Sequence, residues 1–357
     1  MRSLKNRSLL GVNEDFEGKR NAKIHFLVIS FFVLSTLIKI KICIFAQQDN
    51  AAMDIFEVHI LGCGSALPTT RHNASSQVVR VGNKQYMIDC GEGTQLQLRR
   101  SHVHFAFINT IFISHLHGDH CFGLIGMISS FGLLGRTAPL HIYADAMLRR
   151  LLQPQLDFFC KELKYQVVFH DIDATKHELI YEDGQITVHT LPQKHRIPCC
   201  GFLFKEKPKK RHIRRDMIDA YNIPEYCRNA IKNGEDYTTP EGDVIPNARL
   251  TTDADPSRSY AYCSDTLPCP ENIPYIAGTD LLYHEATFAR GEAARATATF
   301  HSTAGQAAAI AKEAEVKKLV IGHFSSRYEN EEPLLAEAKE IFPCTELAGE
   351  GKCFKIQ

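Results

Sequence analysis

His115-Leu116-His117-Gly118-Asp119-His120 places three imidazoles and a carboxylate within six residues. The run before it, Thr110-Ile111-Phe112-Ile113-Ser114, is β-branched and apolar and reads as a buried strand. Imidazole and carboxylate are the side chains that bind a borderline metal such as Zn²⁺. A turn leaving a rigid strand aims alternate residues at one point, so His115 and His117 are expected to share one ion while Asp119 and His120 reach a second. Two ions need more ligands than these four. His195 follows the strand pattern 186–191, Asp265 follows Ser259-Tyr260-Ala261-Tyr262-Cys263-Ser264, and His323 follows Lys318-Leu319-Val320-Ile321-Gly322. Each is a ligand type where a buried strand gives way to a loop, the usual seat of functional residues on a scaffold.

Working outward, strand patterns recur at 55–61, 77–81, 85–88, 140–143, 166–170, 281–284 and 318–321. Helical spacing of apolar residues appears at 123–134, 146–159, 303–314 and 333–341. Mixed strands with interspersed helices predict layered α/β packing. The pattern breaks between Phe204 and Thr251. Residues 205–216 carry Lys205, Lys207, Lys209, Lys210, Arg211, Arg214 and Arg215 against Glu206 and Asp216, followed by a short helical pattern at 217–221 and polar, turn-rich sequence to Pro246.

Several motifs together resemble the metallo-β-lactamase superfamily and, within it, the tRNase Z family. They are Leu61-Gly62-Cys63-Gly64-Ser65-Ala66, Ile88-Asp89-Cys90-Gly91-Glu92-Gly93-Thr94-Gln95, the HxHxDH loop, and His195-Arg196-Ile197-Pro198-Cys199-Cys200-Gly201-Phe202. Further along come Ser264-Asp265-Thr266, His284-Glu285-Ala286-Thr287-Phe288 and Gly322-His323-Phe324-Ser325-Ser326-Arg327-Tyr328. HxHxDH alone specifies only the superfamily; the HEATF and GHFSSRY segments specify the nuclease. The resemblance covers roughly residues 53–357 and implies an αββα sandwich with an inserted basic arm at about 205–255. It also implies two Zn²⁺ per chain: His115, His117 and His195 on the first, Asp119, His120 and His323 on the second, Asp265 bridging. Two ions at about 3.5–4 Å can clamp a phosphodiester, which agrees with removal of the 3′ trailer from precursor tRNA. Asp119 resembles the family's proton acceptor, and Glu285 with His301 a pair that passes a proton to the leaving 3′ oxygen. Asp89 is read as holding the metal loop through hydrogen bonds rather than touching metal.

The basic run falls where tRNase Z enzymes insert an arm that grips tRNA away from the cut. Lys207, Lys209, Lys210, Arg211, Arg214 and Arg215 are therefore candidate phosphate contacts. This chain has Glu225-Tyr226 where many relatives have Gly-Pro. It departs again at Pro68-Thr69-Thr70-Arg71-His72-Asn73, where bacterial relatives often carry Pro-x-Lys-x-Arg-Asn near the tRNA 3′ end. Arg71 is the remaining candidate substrate contact there, and the loss of fixed positive charge is expected to alter discrimination against CCA ends. The family also implies a homodimer.

The 357 residues carry formal net charge zero, so any RNA affinity must come from local basic patches. Twelve cysteines occur without a C-x-x-C pair, the pattern of reduced thiols in a cytoplasmic protein rather than of a disulfide scaffold or zinc ribbon. Residues 1–52 are different in kind. An apolar run at 24–46 is interrupted by Lys39 and Lys41, and its uncharged part, 24–38, is short for a membrane span. Because Met53 directly precedes the first strand, the expectation is a non-core extension with a misassigned start, ahead of an anchor or signal, and no stable membrane association of the core. Against the nuclease stand a small-molecule phosphodiesterase or arylsulfatase on the same core, which would not need a basic arm, and a metal-free RNA-binding relative, which would not need every ligand.

Overall fold

The computed structural model of the protein describes residues 55–357. The expectations for residues 1–52, extension, signal or anchor, lie outside the described residues. Two seven-stranded sheets organise the fold. Strands of the first run in the spatial order Cys353–Lys355, Phe56–Gly62, Ser76–Val81, Lys84–Ile88, Ile108–Phe112, Leu140–Ala144, Val167–Asp171. Those of the second run Thr345–Leu347, Leu319–Gly322, Leu281–Glu285, Ser259–Cys263, Cys200–Glu206, Ile186–Pro192, Leu179–Glu182.

The strands alternate two apolar sets, because successive side chains point to opposite faces. Ile60, Val79, Ile88 and Phe112 face the core shared by the two sheets, while Leu61, Val78, Met87 and Ile111 face helices outside the first sheet. Phe112 is the centre of the inner layer, with its ring 5.4 Å from Phe202, 5.6 Å from Phe204 and 5.1 Å from Tyr143. Helices Thr94–Arg100, Leu124–Leu133 and Met147–Phe159 cover the first sheet, and Ala304–Glu313 and Glu332–Ile341 cover the second. Helix Ala304–Glu313 buries Ala304, Ala307, Ala308 and Ala311, small side chains at helical spacing that allow close approach. Thr303 and Gln306 close its N-terminus as a capping box. This is the four-layered αββα arrangement.

One half of each sheet is parallel. The pairs Lys84–Ile88 with Ile108–Phe112 and Ile108–Phe112 with Leu140–Ala144 are parallel, as are Ser259–Cys263 with Leu281–Glu285 and Leu281–Glu285 with Leu319–Gly322. Their carboxyl ends deliver His115, Asp265, Glu285 and His323. Ligands in α/β sheets bind outside such ends.

One sequence expectation needs correction. The segment 223–246 is not simply turn-rich. It forms helix Glu225–Lys232 and a hairpin pairing Tyr237–Thr238 with Val244–Ile245, around Ile223, Ile231, Tyr237, Ile245 and Leu250. Ile223, Cys227 and Ile231 recur every four residues, so a helical face was present beneath the polar composition. The whole stretch connects Cys200–Glu206 to its antiparallel neighbour Ser259–Cys263. Helix Thr94–Arg100 and the short strands Leu179–Glu182, Thr345–Leu347 and Cys353–Lys355 are too brief for a period to emerge, and strand Cys200–Glu206, buried on both faces, shows no alternation. Among the described residues every cysteine is a free thiol, and no helix is long and apolar enough to cross a membrane.

Phe112→Ala should cost about 3–5 kcal/mol, the usual range for emptying a buried aromatic site. Urea unfolding measures it; a loss below about 1 kcal/mol would show that the inner layer does not depend on this ring.

Candidate metal centre

The seven sequence-predicted ligands converge. His115 Nε2 and His195 Nε2 each stand 3.1 Å from His117 Nδ1. Asp265 Oδ2 lies 3.6 Å from His115 Nε2 and 3.9 Å from His195 Nε2. On the other side, His120 Nε2 and His323 Nε2 are 3.4 Å apart, with Asp119 Oδ2 at 3.6 and 3.5 Å from them. Asp265 Oδ1 faces this second group, 3.1 Å from His323 Nε2 and 3.4 Å from His120 Nε2. One carboxylate thus presents one oxygen to each cluster.

These residues fit divalent metal. Asp265 Oδ1 is buried and has no hydrogen-bond partner among the described residues, a costly state for a carboxylate oxygen unless a cation satisfies it. Ring nitrogens that face one another cannot all donate. Nitrogen and carboxylate oxygen are the donor types of a zinc-class site.

The other nitrogen of four of the five ligand imidazoles is occupied. His115 Nδ1 meets Ser114 Oγ at 3.0 Å, His120 Nδ1 meets Asp89 Oδ2 at 2.7 Å, His195 Nδ1 meets the Phe300 carbonyl at 3.0 Å, and His323 Nδ1 meets Thr287 Oγ1 at 3.0 Å. Such partners fix the tautomer and ring plane. Burial, reinforced by His120, holds His115 well below the ordinary imidazole range, and burial also lowers His117 and His195. Neutral imidazoles keep a lone pair for a cation. Burial opposes ionisation of Asp119 and Asp265, but His120 and His323 prevail and hold both below the usual carboxylate range; burial likewise opposes protonation of His120, but Asp265, Asp89 and Asp119 hold it above the ordinary imidazole range.

Asp89 carries the loop, as its sequence reading expected. Its Oδ1 accepts the Ser114 amide at 2.8 Å, and its Oδ2 accepts Ser114 Oγ at 2.9 Å, His120 Nδ1 at 2.7 Å and Tyr262 OH at 2.7 Å. Two residues on, a Cβ at Gly91 would stand 2.4 Å from the Asp119 carbonyl oxygen. Only glycine lets the two loops touch there.

Glu285 and His301 form a pair 3.0 Å apart beside the centre. Glu285 is buried and also accepts the amides of Thr266, Thr287 and Ser302 at 3.1, 2.9 and 2.9 Å. Burial alone would lower His301, but Glu285 outweighs it and pushes the imidazole up to about 9. His301 lines an open cleft of about 590 Å³ together with His117, Asp119, His195 and Arg196. Phe122 and Leu67, 70% and 68% exposed, flank the same cleft with apolar surface.

Sequence reasoning missed two contributors. The Ala66 amide donates to Asp119 Oδ2 at 2.7 Å; a backbone donor has no side-chain signature. Thr287 Oγ1 links Glu285 Oε2, at 2.8 Å, to His323 Nδ1, and its place in HEATF was the available signal. The cationic candidates are not gathered at the centre. Arg71 pairs with Glu331 at 2.7 Å and donates to the Tyr328 carbonyl. Lys207 pairs with Glu182, Lys209 with Glu206, Arg211 with Asp253 and Arg214 with Asp216, while Lys210 meets Asn229 Oδ1 and Arg215 is exposed.

A family profile described as Anti-Pycsar protein Apyc1 matches residues 56–218, a span that ends before Asp265 and His323. The chain is 60% identical over 304 residues to Ribonuclease Z of Bacteroides fragilis, covering 85% of this chain and 100% of that protein. Its structure is similar to human tRNase Z, short form, with a TM-score of 0.61 and 25% identity over 84% of this chain and 99% of that one. It is similar in fold to the metallo-β-lactamase fold protein YhfI from Bacillus subtilis, with a TM-score of 0.60 and 19% identity over 85% and 99%.

Asp89→Asn leaves all seven converging residues in place but weakens what orients His120 and the loop. Metal affinity, read by competition with a chromogenic chelator, should fall by about 10–100-fold. Unchanged affinity would mean the loop holds its shape without that carboxylate.

Proposed function

Because the chain belongs to the ribonuclease Z family and has the metallo-β-lactamase fold, we propose that it is the endoribonuclease that removes the 3′ trailer from precursor tRNA, leaving a 3′ hydroxyl on the tRNA. The observation that carries the reading is a seven-residue centre with a divided Asp265 carboxylate, set beside the buried Glu285–His301 pair at one cleft.

We propose two Zn²⁺ per chain: His115, His117 and His195 would hold one, Asp119, His120 and His323 the other, with Asp265 available to both. Zinc bound there would supply Lewis acidity toward the phosphodiester and would lower the pKa of water to near 7. Asp119, steadied by the Ala66 amide, accepts the proton of the attacking water. Glu285 keeps His301 protonated and oriented, and His301 hands its proton to the departing 3′ oxygen of the tRNA. Phe122 and Leu67 give the displaced nucleotides an apolar margin.

The segment at about 205–255 is the tRNA arm in this reading. Its cations are paired mostly with exposed carboxylates, and such surface pairs are worth only about 0–1 kcal/mol. Phosphates can replace those carboxylates at little cost, with release of counterions from the RNA. The same reading puts the enzyme in the cytoplasm, with precursor tRNA, as a homodimer. Met147, Leu151 and Phe158 support the dimer: they are 44%, 52% and 71% exposed along helix Met147–Phe159, an apolar stripe of the kind that marks association surfaces.

Asp119→Ala should lower cleavage of precursor tRNA by more than the 10²–10⁴-fold, roughly, that proton transfer alone supplies, because a metal ligand is lost with the proton acceptor. Elemental analysis alongside should find about two zinc ions per wild-type chain. Activity within a few-fold of wild type, or full activity in chelator, overturns the assignment.

Neutralising Lys207, Lys209, Lys210, Arg211, Arg214 and Arg215 together should reduce tRNA cleavage by at least about tenfold while a small phosphodiester is still hydrolysed. Each lost phosphate contact should lower the slope of log affinity against log salt by roughly 0.7–0.9. Equal loss on both substrates assigns the run to the fold. No loss on either favours the small-molecule hydrolase.

A further inference from the structure

We infer that Cys63, His72 and Glu350 form a third metal site, structural rather than catalytic, that binds one zinc-class ion behind the loop lining the cleft. None of the three belongs to the dinuclear centre, so the inference stands on separate residues. Cys63 and His72 are nine residues apart, and Glu350 joins them from the far end of the chain. Cys63 lies between strands Phe56–Gly62 and Gly64–Ser65, His72 in the loop that follows, and Glu350 in the turn before Cys353–Lys355.

The donor atoms already stand at ligand spacing. Cys63 Sγ is 3.4 Å from His72 Nδ1 and 3.8 Å from Glu350 Oε2, and His72 Nδ1 is 3.1 Å from that same oxygen. Bonds of about 2.3 Å to sulfur and about 2.0–2.2 Å to nitrogen and oxygen, at tetrahedral angles, set such donors about 3.3–3.6 Å apart. The three separations scatter around that range, as do the 3.1–3.4 Å nitrogen separations of the main centre. Sulfur, imidazole and carboxylate together form a zinc- or cobalt-class set.

His72 and Glu350 are also oriented from behind. His72 Nε2 meets Glu331 Oε1 at 3.2 Å, the arrangement in which a carboxylate fixes a ligating imidazole. Glu331 is itself held by Arg71 at 2.7 Å. Glu350 Oε1 accepts the amides of Asn73 at 2.8 Å and Cys63 at 3.4 Å, which leaves Oε2 turned to His72 and the thiol. An ion pair accounts for His72 between two carboxylates, and the buried Cys63 thiol beside them points at the same Glu350, 3.8 Å from each of its oxygens. Binding displaces the Cys63 thiol proton and one ring proton of His72. The thiolate and the carboxylates of Glu331 and Glu350 are then balanced by Arg71 and a divalent ion.

The site would fasten the segment that supports Asp119. Ala66 lies three residues after Cys63 and has a left-handed φ of 58°. That strained turn places its amide on Asp119 Oδ2. A metal tying Cys63 to His72 and Glu350 closes the loop around Ala66 on both sides.

Cobalt tests this directly, since the main centre holds only nitrogen and oxygen donors and only a thiolate site gives thiolate-to-cobalt charge-transfer absorption. The full-length protein, stripped with chelator and reloaded with Co²⁺, should bind three equivalents and show that absorption. Cys63→Ser should bind two and lose it. Glu350→Gln, which keeps an oxygen for the two amides, should weaken the third equivalent by at least an order of magnitude while its thermal melt stays cooperative. Two equivalents without the absorption in the wild type, or an absorption that persists in Cys63→Ser, overturns the site. Should Cys63→Ser fail to fold, an unchanged third equivalent in Glu350→Gln overturns it instead. One equivalent with the absorption supports this site and overturns the dinuclear centre, so the two readings fail separately.

Discussion

A carboxylate with no access to water must be fully hydrogen-bonded, and Asp89 meets that requirement by joining both sheets. It follows strand Lys84–Ile88 of the first sheet with a left-handed φ of 56°, a costly conformation that persists because its surroundings hold it. From there it takes the amide and hydroxyl of Ser114, the imidazole of His120, and the hydroxyl of Tyr262 from the second sheet. Four donors on one buried anion leave the metal loop little freedom. The positions of His115, His117, Asp119 and His120 all descend from that constraint.

Two sheets packed face to face, each parallel in one half, supply the remaining geometry. Strand ends arrive side by side about 4.7–4.9 Å apart, so residues that end neighbouring parallel strands become neighbours in space without any loop having to reach. Asp265, Glu285 and His323 come from three consecutive strands of the second sheet and face the His115 loop across the sandwich. Asp265 can then address both histidine groups because it enters between them. The backbone around the centre is strained in keeping with this role, with His323 at φ 62° and Ala66 at φ 58°.

Charge is distributed with similar economy. The chain is neutral overall, yet cations concentrate in a segment that folds around its own small apolar core. That core lets the segment project as a unit from between two paired strands without disturbing their ladder. The histidine cluster has a buried carboxylate facing each of its two groups, whereas the basic run faces the exposed carboxylates of Glu182, Asp216 and Asp253 as well as the buried Glu206. One environment favours tight, desolvated binding of a cation, the other loose exchange with a polyanion.

Much of this was legible in the chain itself. Histidine and aspartate after apolar strand patterns marked every member of the metal cluster, because the ligand type and the strand terminus are both local properties. The long amphipathic helices and most inner strands were legible for the same reason, a local period or apolar run; Cys200–Glu206, buried on both faces, has no alternation to read. The small arm core was hidden because Ile223, Cys227 and Ile231 sit in a polar background that masks a three-point repeat. Arg71 looked like a free cation, and only the fold shows Glu331, 260 residues away, already holding it. The Ala66 amide and the meeting of Cys63 with His72 and Glu350 were likewise invisible. Residue types and strand periods are set by neighbours in sequence, so the chain determined the metal chemistry and the layers that carry it. Which carboxylate meets which cation, and which backbone group meets Asp119, depends on contacts between segments far apart along the chain, and those only tertiary packing decided.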